Sequence, residues 1–93
     1  MIIGIVTVRI SIPAAQSLKD KRSVIRSMKD RALNKMNVSV AEVGDQDTWK
    51  VAEMAFVTVA ATSKIVQSRI SNISKFLQSD PRYSLLDLQT EML

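Results

Sequence analysis

Residues 2–12 read IIGIVTVRISI, and this alternation decides how the chain begins to fold. A period of two is typical of a strand that buries one of its faces. The positions on the predicted buried face are Ile2, Val6, Val8, Ile10 and Ile12. Pro13 ends the strand, because proline has no N–H to donate to a sheet.

A helix is predicted directly after this strand. Ser17 and Asp20 form a variant of the capping box in which Asp replaces Glu, so we expect the helix to begin after Ser17. Its apolar stripe consists of Leu18, Val24, Ile25, Met28, Ala32 and Leu33. The helical pattern ends within residues 34–37.

The rest of the chain predicts two strands, a second helix and a last strand. These elements are a strand over 38–43, a strand over 49–61, a helix capped by Ser63 and a strand over 83–92. The second helix stops before Pro81, because the residue that precedes a proline avoids the helical conformation. In the last strand, Leu86, Leu88 and Met92 share one face.

The order βαββαβ, in a single domain over residues 1–93, favours a ferredoxin-like α+β fold with a four-stranded antiparallel sheet. Right-handed crossovers place both helices on the same face of the sheet. The opposite face carries Ile3 and Ile5 and is fairly apolar. It is either a homodimer interface or a surface with the scattered apolar residues that are normal on monomers.

Composition excludes several classes of chemistry. The chain contains no His, no Cys and only two Gly. Imidazole catalysis, thiol nucleophiles, the usual zinc sites and glycine-rich nucleotide motifs are therefore ruled out. We expect neither an enzyme nor a bound cofactor or metal. The lack of Cys fits a reducing compartment, and no apolar run approaches the roughly 18 residues of a membrane span, so we expect a cytoplasmic protein without membrane contact.

Positive charge is concentrated in the first half of the chain. Residues 1–41 hold eight Lys and Arg against two Asp, a net charge of +6, whereas residues 42–93 hold five against seven acidic residues, a net charge of −2. Such asymmetry favours an acidic partner for one part of the surface.

The first helix carries most of this charge. Lys19, Lys21 and Arg22 crowd its N-terminal end, where the helix dipole disfavours exposed cations by about 0.3–1 kcal/mol each. Lys21 also falls within the apolar stripe, where an unpaired cation is costly. These three cations, extended by Arg26 and Lys29, predict an interface for the phosphate backbone of RNA. The alternative is an ordinary solvated helix that tolerates some repulsion between like charges.

This interpretation makes a prediction about substitutions in the helix. We expect Lys21→Glu together with Arg22→Glu to weaken RNA binding severalfold without lowering the melting temperature. The chain has one Trp, one Tyr and two Phe, so RNA recognition should be mainly of backbone and shape, through the helix.

The segment AEVGDQDTWK, residues 41–50, is the other unusual stretch. Glu42, Asp45 and Asp47 could supply oxygen ligands to Mg²⁺, but a hairpin turn solvated by its acids is the favoured interpretation. The same acids could pair with cations of the first helix within the molecule. Trp49 is expected to pack in the core, and the alternative is a place at an interface.

Residues 17–31, SLKDKRSVIRSMKDR, together with residues 38–49, VSVAEVGDQDTW, closely resemble the YlxP-like family of small bacterial proteins, a domain of unknown function. The resemblance runs along the whole chain. It implies a ferredoxin-like fold and a link to translation, and it brings no enzyme activity or cofactor. The family motif positions that it picks out here are Leu18, Lys19, Lys21, Arg22, Glu42, Asp47 and Trp49. The expected partners are therefore RNA or the ribosome, with a possible homodimer. The alternative functions are a homodimeric protein–protein interaction module and a small-ligand regulatory module of ferredoxin-like fold.

Overall fold

A computed structural model describes residues 1–93 as six elements in the order βαββαβ. The strands are β1 (Ile2–Ser11), β2 (Ser39–Gly44), β3 (Val51–Ala60) and β4 (Ser84–Met92), and the helices are α1 (Leu18–Lys35) and α2 (Ser63–Leu77). The strands form one antiparallel sheet in the order β2-β3-β1-β4. The predicted ferredoxin-like α+β fold is confirmed.

The core lies between the two helices and one face of the sheet. Val6, Val8 and Ile10 of β1 are fully buried, as the alternation predicted. They belong to one hydrophobic cluster with residues of β3 and of both helices, namely Ala52, Met54, Phe56, Ile25, Met28, Ala32, Ile73, Phe76 and Leu77. Burial of this apolar surface is the main force that holds a domain of this size together.

Gly4 allows α2 to approach β1 closely. A Cβ atom built on Gly4 would lie 2.6 Å from Cγ1 of Val66, a fully buried residue of α2. Real Cβ atoms do not approach other carbons so closely, so any side chain at position 4 would force Val66, or the helix that carries it, to shift.

Both helix starts are capped by hydroxyl groups. Ser17 Oγ accepts a hydrogen bond from Asp20 N at 3.1 Å, and Asp20 Oδ2 accepts one from Gln16 N at 3.0 Å. This is the predicted capping box, with the shorter carboxylate reaching the residue before the cap. The cap of α2 is Thr62, whose hydroxyl accepts from Ile65 N, and not Ser63 as predicted.

Leu33 and Leu86 lie on predicted apolar faces but are exposed. Leu33, at the end of the α1 stripe, is 53% exposed. A β-bulge between Arg9 and Ile10 shifts the pairing of β4, so that Leu85 lies opposite Ile10 while Leu86 is 53% exposed. Strict alternation cannot anticipate an inserted residue, which moves every later side chain to the other face.

The buried carboxylate of Asp80 ties the end of α2 to α1. Its Oδ2 lies 2.6 Å from Nη2 of both Arg31 and Arg82. Hydrogen bonds from the Arg82 side chain are the largest cause of a lowered pKa for Asp80, and they outweigh the effect of burial. Burial raises the pKa of the neighbouring Tyr83. This cluster is structural and lies far along α1 from the capped end.

Candidate functional site

Four cations form a row on the outer side of α1. Lys19, Arg22 and Arg26 are exposed, and Lys29 is partly buried. Their spacing of three, four and three residues keeps them within about 80° of the helix circumference and along about 15 Å of its axis. We call these four residues the basic stripe.

The basic stripe has no carboxylate partner within the molecule. The four salt bridges of the chain involve Arg9, Lys21, Arg31 and Arg82, none of which belongs to it. Asp30 is the one acid on the same side of the helix, and it is exposed and unpaired. The stripe therefore presents an excess of positive charge to solvent.

Lys21 does not belong to this surface, and its placement overturns the prediction that it contacts a phosphate. The residue is only 1% exposed. Its Nζ donates hydrogen bonds to the carbonyl oxygens of Asp45 and Thr48, both at 2.5 Å. Glu42 Oε2 lies 2.9 Å from the same nitrogen. That contact is an ion pair rather than a well-directed hydrogen bond, because Oε2 has no hydrogen-bond partner of good geometry.

These contacts explain why a cation lies within the apolar stripe of α1. The Lys21 side chain points under the helix toward the turn between β2 and β3, where the carboxylate of Glu42 neutralises its charge. The general expectation that acids of the turn could meet cations of the first helix is confirmed for Lys21 and Glu42. The substitution Lys21→Glu would put two carboxylates together in the interior, so it is not a clean test of RNA binding.

The turn, residues 45–50, is held at two further points, and we call it the β2–β3 loop. Arg9 Nε lies 3.1 Å from Asp45 Oδ2 on the open side of the sheet. Lys50 Nζ donates to the carbonyl oxygen of Pro13 at 2.9 Å, which fixes the loop to the connection before α1. Asp45 adopts a φ of 59°, the left-handed conformation that Asp tolerates better than most residues.

Trp49 projects from this loop and is 46% exposed, so the prediction that it packs in the core is wrong. The reason is the start of β3, which begins at Val51 instead of residue 49. Trp49 therefore lies beyond the last paired residues of the sheet, Ser11 and Val51. The other three aromatic side chains of the chain are buried: Phe56, Phe76 and Tyr83.

The acids of the segment do not converge. Glu42 is paired with Lys21 and Asp45 with Arg9, while Asp47 is exposed and makes no salt bridge. No group of three or more His, Cys, Asp or Glu side chains lies close enough to hold a metal ion. Of the motif residues, Glu42 and Lys21 have a structural role, and Asp47 and Trp49 face solvent.

The chain is similar to known proteins along most of its length. Residues 3–90 match the family described as "Protein of unknown function (DUF503)". The chain is 32% identical over 77 residues to "Uncharacterized protein YlxP" of Bacillus subtilis (strain 168), a match that covers 83% of this chain and 84% of that protein. The matched region contains both the basic stripe and the β2–β3 loop. No helix of the chain is both long and apolar enough to cross a membrane.

Proposed function

The chain belongs to the family described as "Protein of unknown function (DUF503)", and we propose that it is a non-enzymatic, cytoplasmic RNA- or ribosome-associated factor of translation or ribosome maturation. In this proposal the basic stripe of α1 contacts the phosphate backbone. The contacting residues are Lys19, Arg22, Arg26 and Lys29.

The observation that carries the proposal is the unpaired state of the stripe. Four of the thirteen Lys and Arg pair with a carboxylate, and of the nine that do not, four lie together in this one row. Arg and Lys side chains in a row on a helix are well suited to a phosphate chain, because each can neutralise a phosphate and release its counterion.

The position of the stripe argues against the alternative of an ordinary solvated helix. Lys19 is the second residue of α1, and Arg22 lies within its second turn. An exposed cation in the first turn of a helix costs about 0.3–1 kcal/mol, and the effect decreases beyond that turn. Only Asp20 provides acidic compensation in the first turn. A bound polyanion removes this repulsion. Solubility alone does not explain why the cations lie at this end of the helix.

Sedimentation of the tagged protein with ribosomal fractions tests the proposal. We expect co-sedimentation in low salt and release in high salt, because counterion release makes phosphate binding salt-dependent. Lys19→Glu/Arg22→Glu should abolish co-sedimentation without lowering the melting temperature, since acids are favoured at this helix end. Lys64→Glu/Lys75→Glu is the matched control, because it makes the same charge change at two exposed residues of α2. Equal co-sedimentation of the two variants would contradict the proposal.

A homodimer is the second candidate, and the open face of the sheet favours it. Val57, Val59 and Leu93 are 37%, 51% and 62% exposed there, beside Ile3 and Ile5. No helix covers these residues. Light scattering at high protein concentration is the test: a mass twice that of the chain, abolished by Val59→Asp, would support a dimer through this face, and a monomer would exclude it.

A further inference from the structure

Trp49 is the one exposed aromatic side chain, and hydrogen bonds hold the residues on both sides of it. Trp49 is 46% exposed, so a large part of the ring stays open to solvent. Here the loop residue before it, Thr48, is fixed by a hydrogen bond from Lys21, and the residue after it, Lys50, is fixed to Pro13. Trp49 is therefore presented to solvent by a loop anchored on both sides.

Lys21, which anchors this loop, is an unusual residue at a buried position. Burying the ammonium of Lys21 carries a large desolvation penalty, and its ion pair and hydrogen bonds offset that penalty only in part. Replacing both Lys21 and Glu42 by apolar residues would avoid that penalty. The ammonium does what an apolar residue could not, because it binds two backbone carbonyls of the loop at once. Its effect is to fix the loop against α1, which lowers the entropy that binding through Trp49 would cost.

We propose that Trp49 stacks on an unpaired base of the same RNA whose phosphates the basic stripe contacts. This inference rests on the proposed function and narrows its substrate class to single-stranded RNA. It also goes beyond the expectation that recognition is mainly of backbone and shape, which rested on the small number of aromatic residues.

The position of the loop beside the start of α1 favours a nucleic acid over a protein as the occupant. Thr48 accepts a hydrogen bond from Lys21, the residue directly before Arg22 of the basic stripe, and Lys50, the residue directly after Trp49, is exposed. A shallow depression of about 290 Å³ lined by Thr48, Trp49 and Lys50 leaves one side of this segment open. Asp47 is the one uncompensated acid of the loop. Stacking on an aromatic ring beside cations is how proteins bind single strands without reading the sequence.

Trp49 is also the reporter that tests the proposal, because it is the only Trp in the chain. The parent protein is titrated with a single-stranded RNA of about 12 nucleotides, with a duplex RNA of equal length, and with an abasic single strand that keeps the phosphates. We expect quenching of the Trp49 fluorescence by the first RNA only. Trp49→Ala should weaken single-strand binding by roughly 5- to 100-fold, the range found for stacked bases, and should change duplex binding less than twofold.

Two further variants complete the test. Trp49→Phe keeps a stacking ring and should retain most of the single-strand affinity. Leu86→Ala removes an equally exposed apolar side chain on β4 and should have no effect. If Trp49→Ala binds the single strand like the parent while Lys19→Glu/Arg22→Glu binds weakly, the stacking is refuted and the phosphate interface stands. If the parent binds no RNA, both fail, and a protein partner becomes the better interpretation of Trp49. Equal losses for single strand and duplex would also refute base stacking.

Discussion

Replacing Lys21 by methionine removes a buried positive charge while keeping most of the side-chain stem. The variant leaves the carboxylate of Glu42 without its ion-pair partner and the carbonyl oxygen of Thr48 without the hydrogen bond from Lys21, while the carbonyl oxygen of Asp45 keeps only the hydrogen bond from Thr48 N. Removing one partner of a buried ion pair costs about 3–5 kcal/mol. Because Glu42 is 19% exposed and water can reach part of it, we expect a loss near the lower limit, about 3 kcal/mol.

Thermal unfolding followed by circular dichroism measures this loss. A change of 1 kcal/mol shifts the melting temperature of a domain of this size by about 4–8 °C, so Lys21→Met should lower it by about 12–24 °C. The control is Arg26→Met, an exposed cation on the same helix, which should change the unfolding free energy by less than about 0.5 kcal/mol. Removing both charges with Lys21→Met/Glu42→Leu should cost less than the sum of the two single substitutions. A Lys21→Met protein as stable as Arg26→Met would refute the role given to the buried ammonium.

Other predictions concern the Asp80 cluster and Gly4. The pKa of Asp80 is lower in the folded state, so the unfolded state binds a proton at this carboxylate more readily. The ionised carboxylate therefore stabilises the fold above pH 3.8, and this contribution to the free energy of unfolding is lost as the pH falls below that value. Asp80→Asn should cost about 2 kcal/mol at neutral pH, and the difference from the parent should shrink in acid; a pH-independent difference in urea unfolding would contradict this. Gly4→Ala should cost about 1–2 kcal/mol, because its Cβ would clash with Val66; a stabilised variant in the same assay would show that α2 moves freely.

Much of the fold could be predicted from local patterns. The period of two in β1 identified the buried face, and Ser17 located the start of α1, because both signals depend only on neighbouring residues. The β4 register could not be predicted, since the bulge beside Ile10 arises from pairing with a strand distant in sequence. The wrong prediction for Trp49 has a related cause. The residue at which β3 begins depends on where its partner strand β1 ends, and β1 is distant in sequence.

The candidate site could be predicted from the sequence only in part. The misfit of Lys21 within an apolar stripe was visible in the sequence, and so was the possibility that acids of residues 41–50 pair with cations of the first helix, but the sequence did not say which side chains would meet. The actual partners are loop carbonyls and Glu42, which only the tertiary fold brings to the helix. The positions of Arg22, Arg26 and Lys29 could be predicted without the tertiary fold, because they follow from helical spacing alone.

The salt dependence of single-stranded RNA binding tests the role of the basic stripe most directly. Each neutralised phosphate contributes a slope of about −0.7 to the plot of log affinity against log salt. Removing Lys19 and Arg22 as contacts should therefore make the slope of Lys19→Glu/Arg22→Glu shallower by about 1.4, with weaker binding at every salt concentration. The control Lys64→Glu/Lys75→Glu should keep the parent slope. Identical slopes for the parent and the stripe variant would contradict phosphate contact through α1.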